Sequence, residues 1–148
     1  MKVGDRAELR RSYTAADLAD FAALAGAAPT AHVPEPLIAA LFSHLLGVDL
    51  PGAGTNYLKQ ELHFTGRAAP ETELTATVEI TRLRPEKHLV DLWARCTDAG
   101  GQVICEGRAL VKARDVTPAA RGGDQAVPPL ARGRATAQGG AGRYGGAG

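Results

Sequence analysis

The stretch Pro36-Leu37-Ile38-Ala39-Ala40-Leu41-Phe42-Ser43-His44-Leu45-Leu46-Gly47 decides the fold. Leu37, Ile38, Leu41, Leu45 and Leu46 recur at helical spacing, Ala39, Ala40 and Phe42 fill most of the remaining arc, and only Ser43 and His44 are polar. A helix so apolar all round is expected to be buried. Pro36 suits a first helical turn, where its missing N–H costs nothing, and Gly47 suits a left-handed C-terminal cap. About three turns are too few to span a bilayer, so the burial must come from protein.

The residues downstream supply a partner for it. Thr55 to Phe64 reads as a strand in which Tyr57, Lys59, Glu61 and His63 alternate with Asn56, Leu58, Gln60, Leu62 and Phe64. Thr72 to Arg84 sets Leu74, Ala76, Val78 and Ile80 on one face, and His88 to Thr97 does the same with Val90, Leu92, Ala94 and Cys96. Asp98 to Gly101 is a hairpin loop, and Gln102 to Lys112 returns with Val103, Cys105, Gly107, Ala109 and Val111 on one face. Three long strands joined by tight turns make an antiparallel meander with one small-residued apolar face, shaped to receive a helix. Trp93, on the other face beside Leu89, is a candidate subunit contact.

Upstream, Ala7 to Tyr13 reads as an edge strand and Thr14 to Ala25 as a surface helix, capped by Thr14 with Asp17 and stopped by Gly26. Ala27 to Glu35, with two prolines and no periodicity, is a loop that carries His32. One domain over residues 1–115 is expected for a 148-residue chain. Residues 116–148, rich in Gly, Pro, Ala and Arg, hold too little apolar surface to offset the entropy of ordering and read as a disordered tail.

Charge and composition narrow the function. The net charge of +1 includes a basic tail in which Arg121, Arg132, Arg134 and Arg143 face only Asp124, so the folded part is slightly acidic. It lacks a basic stripe interleaved with aromatics, which argues against nucleic acid. No apolar run reads as a signal peptide or membrane span, and a cytoplasmic protein is expected. Two cysteines without CxxC spacing, Cys96 and Cys105, support neither a metal site nor a disulfide framework; both read as small buried apolar residues.

The run LIAALFSHLLGVDLPGAGTNYLKQELHF (37–64) resembles the MaoC-like (R)-specific enoyl-CoA hydratases, whose helix commonly reads LLASLFSxLLG and is followed by LPGxG and YLxQxLxF. The resemblance implies an α+β hot-dog fold, an antiparallel sheet wrapped around one central buried helix. It implies hydration of an enoyl thioester or dehydration of a 3-hydroxyacyl thioester, on coenzyme A or a carrier protein. It also implies a homodimer, or a heterodimer with another hot-dog subunit. No cofactor is expected beyond the CoA or phosphopantetheine that belongs to the substrate.

In that family an Asp and a His five residues later activate the water, and backbone N–H groups at the helix's amino end polarise the thioester carbonyl. The family motif SGDxNPxH has its gapless counterpart in Ala25 to His32. His32 therefore falls on the catalytic histidine, with Glu35 a displaced carboxylate, while the aspartate's place is Ala27. The segment between histidine and helix is shorter than in the family, and the usual His-Gly pair before the helix is Pro34-Glu35. A carboxylate there opposes developing negative charge, and Pro36 has no N–H to give. Tyr57, Gln60, Ser43 and His44 are the candidate substrate-binding residues. These departures raise two rivals to an active hydratase: a non-catalytic subunit that pairs with an active one, and a repurposed cavity acting on a carrier-bound polyketide.

Overall fold

A computed structural model describes residues 1–114 and Val116; apart from Val116, the expectation of a disordered tail over 116–148 concerns residues outside these. Strand β1 (Arg6–Arg11) leads into helix α1 (Ala15–Ala25), then helix α2 (Glu35–His44) and strands β2 (Asn56–Phe64), β3 (Leu74–Arg84), β4 (Leu89–Asp98) and β5 (Val103–Lys112). All five strands form one antiparallel sheet in the order β1-β3-β4-β5-β2. The meander β3-β4-β5 is its middle, and β2 crosses over to pair with β5 and end the sheet. This is the hot-dog arrangement, with α2 lying on the sheet.

Local chemistry accounts for the elements. Thr14 and Asp17 form the capping box expected of them: the Asp17 N–H donates to Thr14 Oγ1 at 3.1 Å and the Thr14 N–H donates to Asp17 Oδ2 at 2.9 Å. The Thr14 N–H, and after it the Thr14 side chain, favour the ionised carboxylate and lower the Asp17 pKa. Gly26, at φ 66°, closes α1 in the left-handed region. On β3, Leu74, Ala76, Val78 and Ile80 are all fully buried, which is the period-two pattern carried into the core.

The buried face of α2 consists of Ile38, Leu41 and Phe42, continued by Leu45 and Leu46 in a π-helical turn, Leu45–Asp49. The expectation of burial all round needs correction. Ala40, Ser43, His44 and Gly47 are exposed, because only one side of α2 meets the sheet and small or polar residues occupy the other. Gly47 is not a left-handed cap either; its φ is not positive, and the chain runs through it into the π-helical turn. The reversal comes later, in a loop with a cis Leu50–Pro51 bond and with Gly52 and Gly54 at φ 94° and 86°.

Three bulges alter the facing of strand residues: one in β3, between Ile80 and Arg82, which sets Leu83 opposite Val90, and two in β2 and β5. In β2 the register slips between Tyr57 and Lys59, so Tyr57 pairs with Val111 and shares the inner face with Gln60, which pairs with Ala109. The expected alternation had set Tyr57 opposite Gln60. In β5 the register slips so that Cys96 faces Cys105 while Thr97 faces Val103, and the extra residue, Ile104, is fully buried rather than outward. Val116, 2% exposed, joins the core cluster.

Gly107 is the tightest point of the sheet. A Cβ at this position would sit 1.8 Å from the Glu61 carbonyl oxygen of neighbouring β2. Replacing Gly107 with Ala is expected to cost roughly 3 kcal/mol or more, since backbone rather than a flexible side chain must move. Gly47→Ala, with nothing within 4 Å of the new methyl, is expected to stabilise by about 0.5 kcal/mol. Denaturant unfolding of the two variants beside the parent checks both signs.

Candidate functional site

The site is defined by where α2 begins. Val33, 1% exposed, donates its N–H to the Ala68 carbonyl at 2.8 Å, and the Tyr13 hydroxyl donates to the Leu37 carbonyl at 3.0 Å. The tract His32-Val33-Pro34 is thereby fixed to the loop after β2, and the first turn of α2 to the end of β1. Such an N-terminus would ordinarily present free N–H groups and a partial positive charge. Here the cap residue is Pro34, no side chain caps the helix, and the second helical residue is Pro36. Neither proline has an N–H, and that of Leu37 turns back to the Pro34 carbonyl at 3.0 Å. Within the stretch Pro34 to Leu37, Glu35 alone keeps an N–H outside that turn, and its own carboxylate accompanies it.

Glu35 lines an open depression with Phe64, Thr65, Gly66 and Arg67. The last three belong to the segment after β2 and were missed by the sequence reading; their position directly after the YLxQxLxF run was the available signal. Beneath lie Cys105 and Cys96, directly opposed across β4 and β5 and both fully buried. On the outer sheet face, a separate depression lined by Lys59, Glu61, Asp91 and Arg108 is remote from α2.

The structure does not gather the remaining candidates at Glu35. His32 is half-buried in the loop, and its carbonyl accepts the Thr30 hydroxyl at 2.7 Å. Among the described residues no carboxylate lies within ion-pair distance of its imidazole. Ala27, whose N–H donates to the Ala22 carbonyl at 2.9 Å, is exposed and offers none. Ser43 and His44 are exposed near the far end of α2; nine residues at 1.5 Å each put His44 about 13 Å along the axis from Glu35. Tyr57 and Gln60 share the inner face of β2, but Tyr57 lies at the end away from Phe64, roughly 23 Å along the strand. Tyr57 is 37% exposed; desolvation of its buried part pushes the phenol up to about 12, so it is a neutral donor at ordinary pH. In one chain, then, these residues are strung along α2 and β2 rather than gathered at a single centre.

No family model matches the chain. It is 40% identical over 127 residues to the (R)-specific enoyl-CoA hydratase of Aeromonas caviae, covering 76% of this chain and 95% of that one. The chain belongs to the MaoC-like (R)-specific enoyl-CoA hydratase family. The hydratase of that name from Rhodospirillum rubrum is 35% identical over 126 residues, covering 75% of this chain and 87% of the relative. The solved structure of the A. caviae (R)-hydratase superposes with a TM-score of 0.71, covering 76% of this chain and 97% of that one. The R-hydratase PhaJ1 of Pseudomonas aeruginosa, 28% identical, also gives 0.71 and covers 90% and 94%.

Since 76% of 148 residues is about 112, and the A. caviae alignment runs over 127, about 15 of its positions have no counterpart in this family member. The connection between α1 and α2 in this chain is nine residues long, Gly26 to Pro34. Among the described residues no group of three or more His, Cys, Asp or Glu could hold a metal ion, and no helix is long and apolar enough to cross a membrane.

Burial raises the Cys96 thiol to about 11 and the Cys105 thiol to about 12, from an ordinary 9.0. The folded protein thus holds these protons longer than the unfolded chain does. The associated stability is complete below pH 9 and is lost as pH rises through the range 9 to 12. We expect neither thiol to react with a thiol reagent at pH 8 in the native protein and both to react in denaturant, with unfolding midpoints falling above pH 9. Rapid native labelling of either cysteine at pH 8 would contradict the packing of α2 on the sheet.

Proposed function

We propose that this protein binds an enoyl or 3-hydroxyacyl thioester in the groove between α2 and β2, as one half of a hot-dog dimer, and does not itself hydrate it. The N-terminus of α2 carries this reading. Hydration needs a base to activate water and donors to stabilise the enolate oxygen. A base contributes typically 10²–10⁴-fold, and each oxyanion donor about 10²–10³-fold. At that point this chain has two prolines and a carboxylate, and Ala27 leaves His32 without its aspartate. The fold and the YLxQxLxF strand that shape the acyl groove are kept.

The free edge of β2 is where the second subunit belongs. Its nine residues end the sheet, Tyr57 and Leu58 are 37% and 53% exposed, and the adjoining face of α2 offers Ala40, Ser43 and Gly47 uncovered. Lys59 and Glu61 alternate so that an antiparallel twofold about Gln60 opposes each lysine to a glutamate, a self-complementary arrangement. Such pairing also brings a second copy's Tyr57 beside Phe64, which completes the groove. A motif-bearing hot-dog subunit on the same edge would gain a full site of its own. A cytoplasmic setting, with CoA or phosphopantetheine arriving on the substrate and both cysteines kept as thiols, suits this chemistry.

Incubated with crotonyl-CoA, the purified chain is expected to hydrate no faster than buffer, and Ala27→Asp is expected to gain nothing because the oxyanion donors are still missing. Binding of a saturated acyl-CoA is expected to persist in both. Turnover that His32→Ala abolishes would instead establish a hydratase working with His32 and Glu35.

A further inference from the structure

Trp93 takes no part in the site at α2, and the sheet face that carries it has a pattern of its own. Strand register lays one continuous row of side chains across all five strands. Arg6 on β1 opposes Glu79 on β3, Glu79 opposes Trp93 on β4, Trp93 opposes Arg108 on β5, and Arg108 opposes Glu61 on β2. The β1 half of the row is closed within the chain, since the Arg6 guanidinium meets the Glu79 carboxylate at 2.8 Å. The β2 half is open: among the described residues Arg108 enters no ion pair, although Glu61 is its register neighbour. Trp93 stands at the centre of the row and is 36% exposed. A depression flanks it on either side, one reaching Arg6 and Glu79 and the other Arg108 and Glu61.

From β1 to β2 the row runs cation, anion, tryptophan, cation, anion, so reversing its direction sets every charge opposite its complement. A twofold axis lying in this face along β4 makes that reversal for a second copy stacked upon it. Glu79 then faces Arg108, Arg6 faces Glu61, and the two Trp93 rings meet on the axis. Sheets stacked face to face keep their strands within about 30° of each other, which such an axis allows. Asp91 and Arg95 also lie on the axis, where each meets its own copy. Each is already neutralised within its chain, Asp91 by Arg84 at 2.6 Å and Arg95 by Glu106 at 3.0 Å. Five strands about 4.8 Å apart and roughly 30 Å long offer ~700 Å² per copy, close to the ~800 Å² per partner of a standard interface. A row balanced in sign complements itself better than it complements a strongly acidic or basic partner. We propose that the outer sheet face is an interface between two copies of this chain, with Trp93 as its central anchor inside a ring of Glu79–Arg108 and Arg6–Glu61 pairs. It depends on neither the thioester groove nor the β2 edge; where both contacts form, edge-paired dimers stack into a tetramer.

Trp93 is the chain's single tryptophan, so its emission reports burial of this face alone. Sedimentation equilibrium and tryptophan emission are followed together over a dilution series of the full chain. The emission is expected to move to the red as the assembly dissociates, over the concentrations at which the mass halves. Trp93→Ala is expected to weaken the association about tenfold or more. Glu79→Arg and Arg108→Glu are each expected to stop at half the parental mass, because each variant meets like charge in its own copy. An equimolar mixture of these two variants is expected to regain the parental mass, since each then meets the opposite charge; a misfolded variant would not regain it. Unchanged mass in both single variants, with emission independent of dilution, would overturn the interface. Emission that moves only when poly-L-glutamate is added would also overturn it and assign the face to an acidic partner. A parental dimer that the two substitutions reduce to monomers supports this interface and counts against pairing along β2.

Discussion

Everything in this molecule depends on the one-sided packing of α2 against the small-residued face of the sheet. Phe42 and Leu45 are fully buried and Ile38 and Leu46 only 1% exposed; burying each such side chain is worth roughly 1.5–3 kcal/mol. The sheet can receive them because Ala94, Cys96, Cys105, Gly107 and Ala109 keep its middle shallow. That contact sets the axis of α2, and with it the two ends at which function can be built. At one end Glu35 and Arg67 line the same depression; at the other the chain turns through Gly52 and Gly54.

The same packing explains how the catalytic change proposed above leaves the fold intact. Pro34, Glu35 and Pro36 contribute little to the core, whereas Val33 and Leu37 on either side hold the segment through the Ala68 and Tyr13 contacts. Substitution at the helix N-terminus is therefore tolerated structurally, and in the proposed reading it is what decides the chemistry. The connection between α1 and α2 is only nine residues long, and the Val33 to Ala68 bond anchors its end. Groove and fold survive because they are set by strand register and by α2, not by that connection.

Much of this was legible in the residues. The period-two runs of β3 and β4, the capping box of α1 and the YLxQxLxF strand each encode their own geometry locally, and a pattern of that kind survives folding. The bulges at Leu58 and Ile104 did not announce themselves. A bulge arises from the pairing of two distant strands, and it turned Tyr57 and Ile104 to the opposite face from the one their spacing implied. Gly47 misled for a related reason: a π-helical turn carried the chain past it, and the reversal fell to the Gly52–Gly54 loop. Ser43, His44, Tyr57 and Gln60 were read as one substrate-binding set, yet in a single chain they are strung along α2 and β2. Sequence shows which residues share a face, but whether they converge depends on how the elements that carry them are placed.

The reading proposed above requires that the α2 N-terminus polarises no thioester carbonyl. It is tested most directly by isotope-edited infrared spectroscopy of crotonyl-CoA labelled at the thioester carbonyl and bound to the protein. Without oxyanion donors, the carbonyl stretch of the bound ligand is predicted to match that of the free ligand in a solvent of similar polarity. A clear downshift, abolished by perturbing the Pro34–Pro36 turn, would mean that donors reach the carbonyl after all and would contradict the claim.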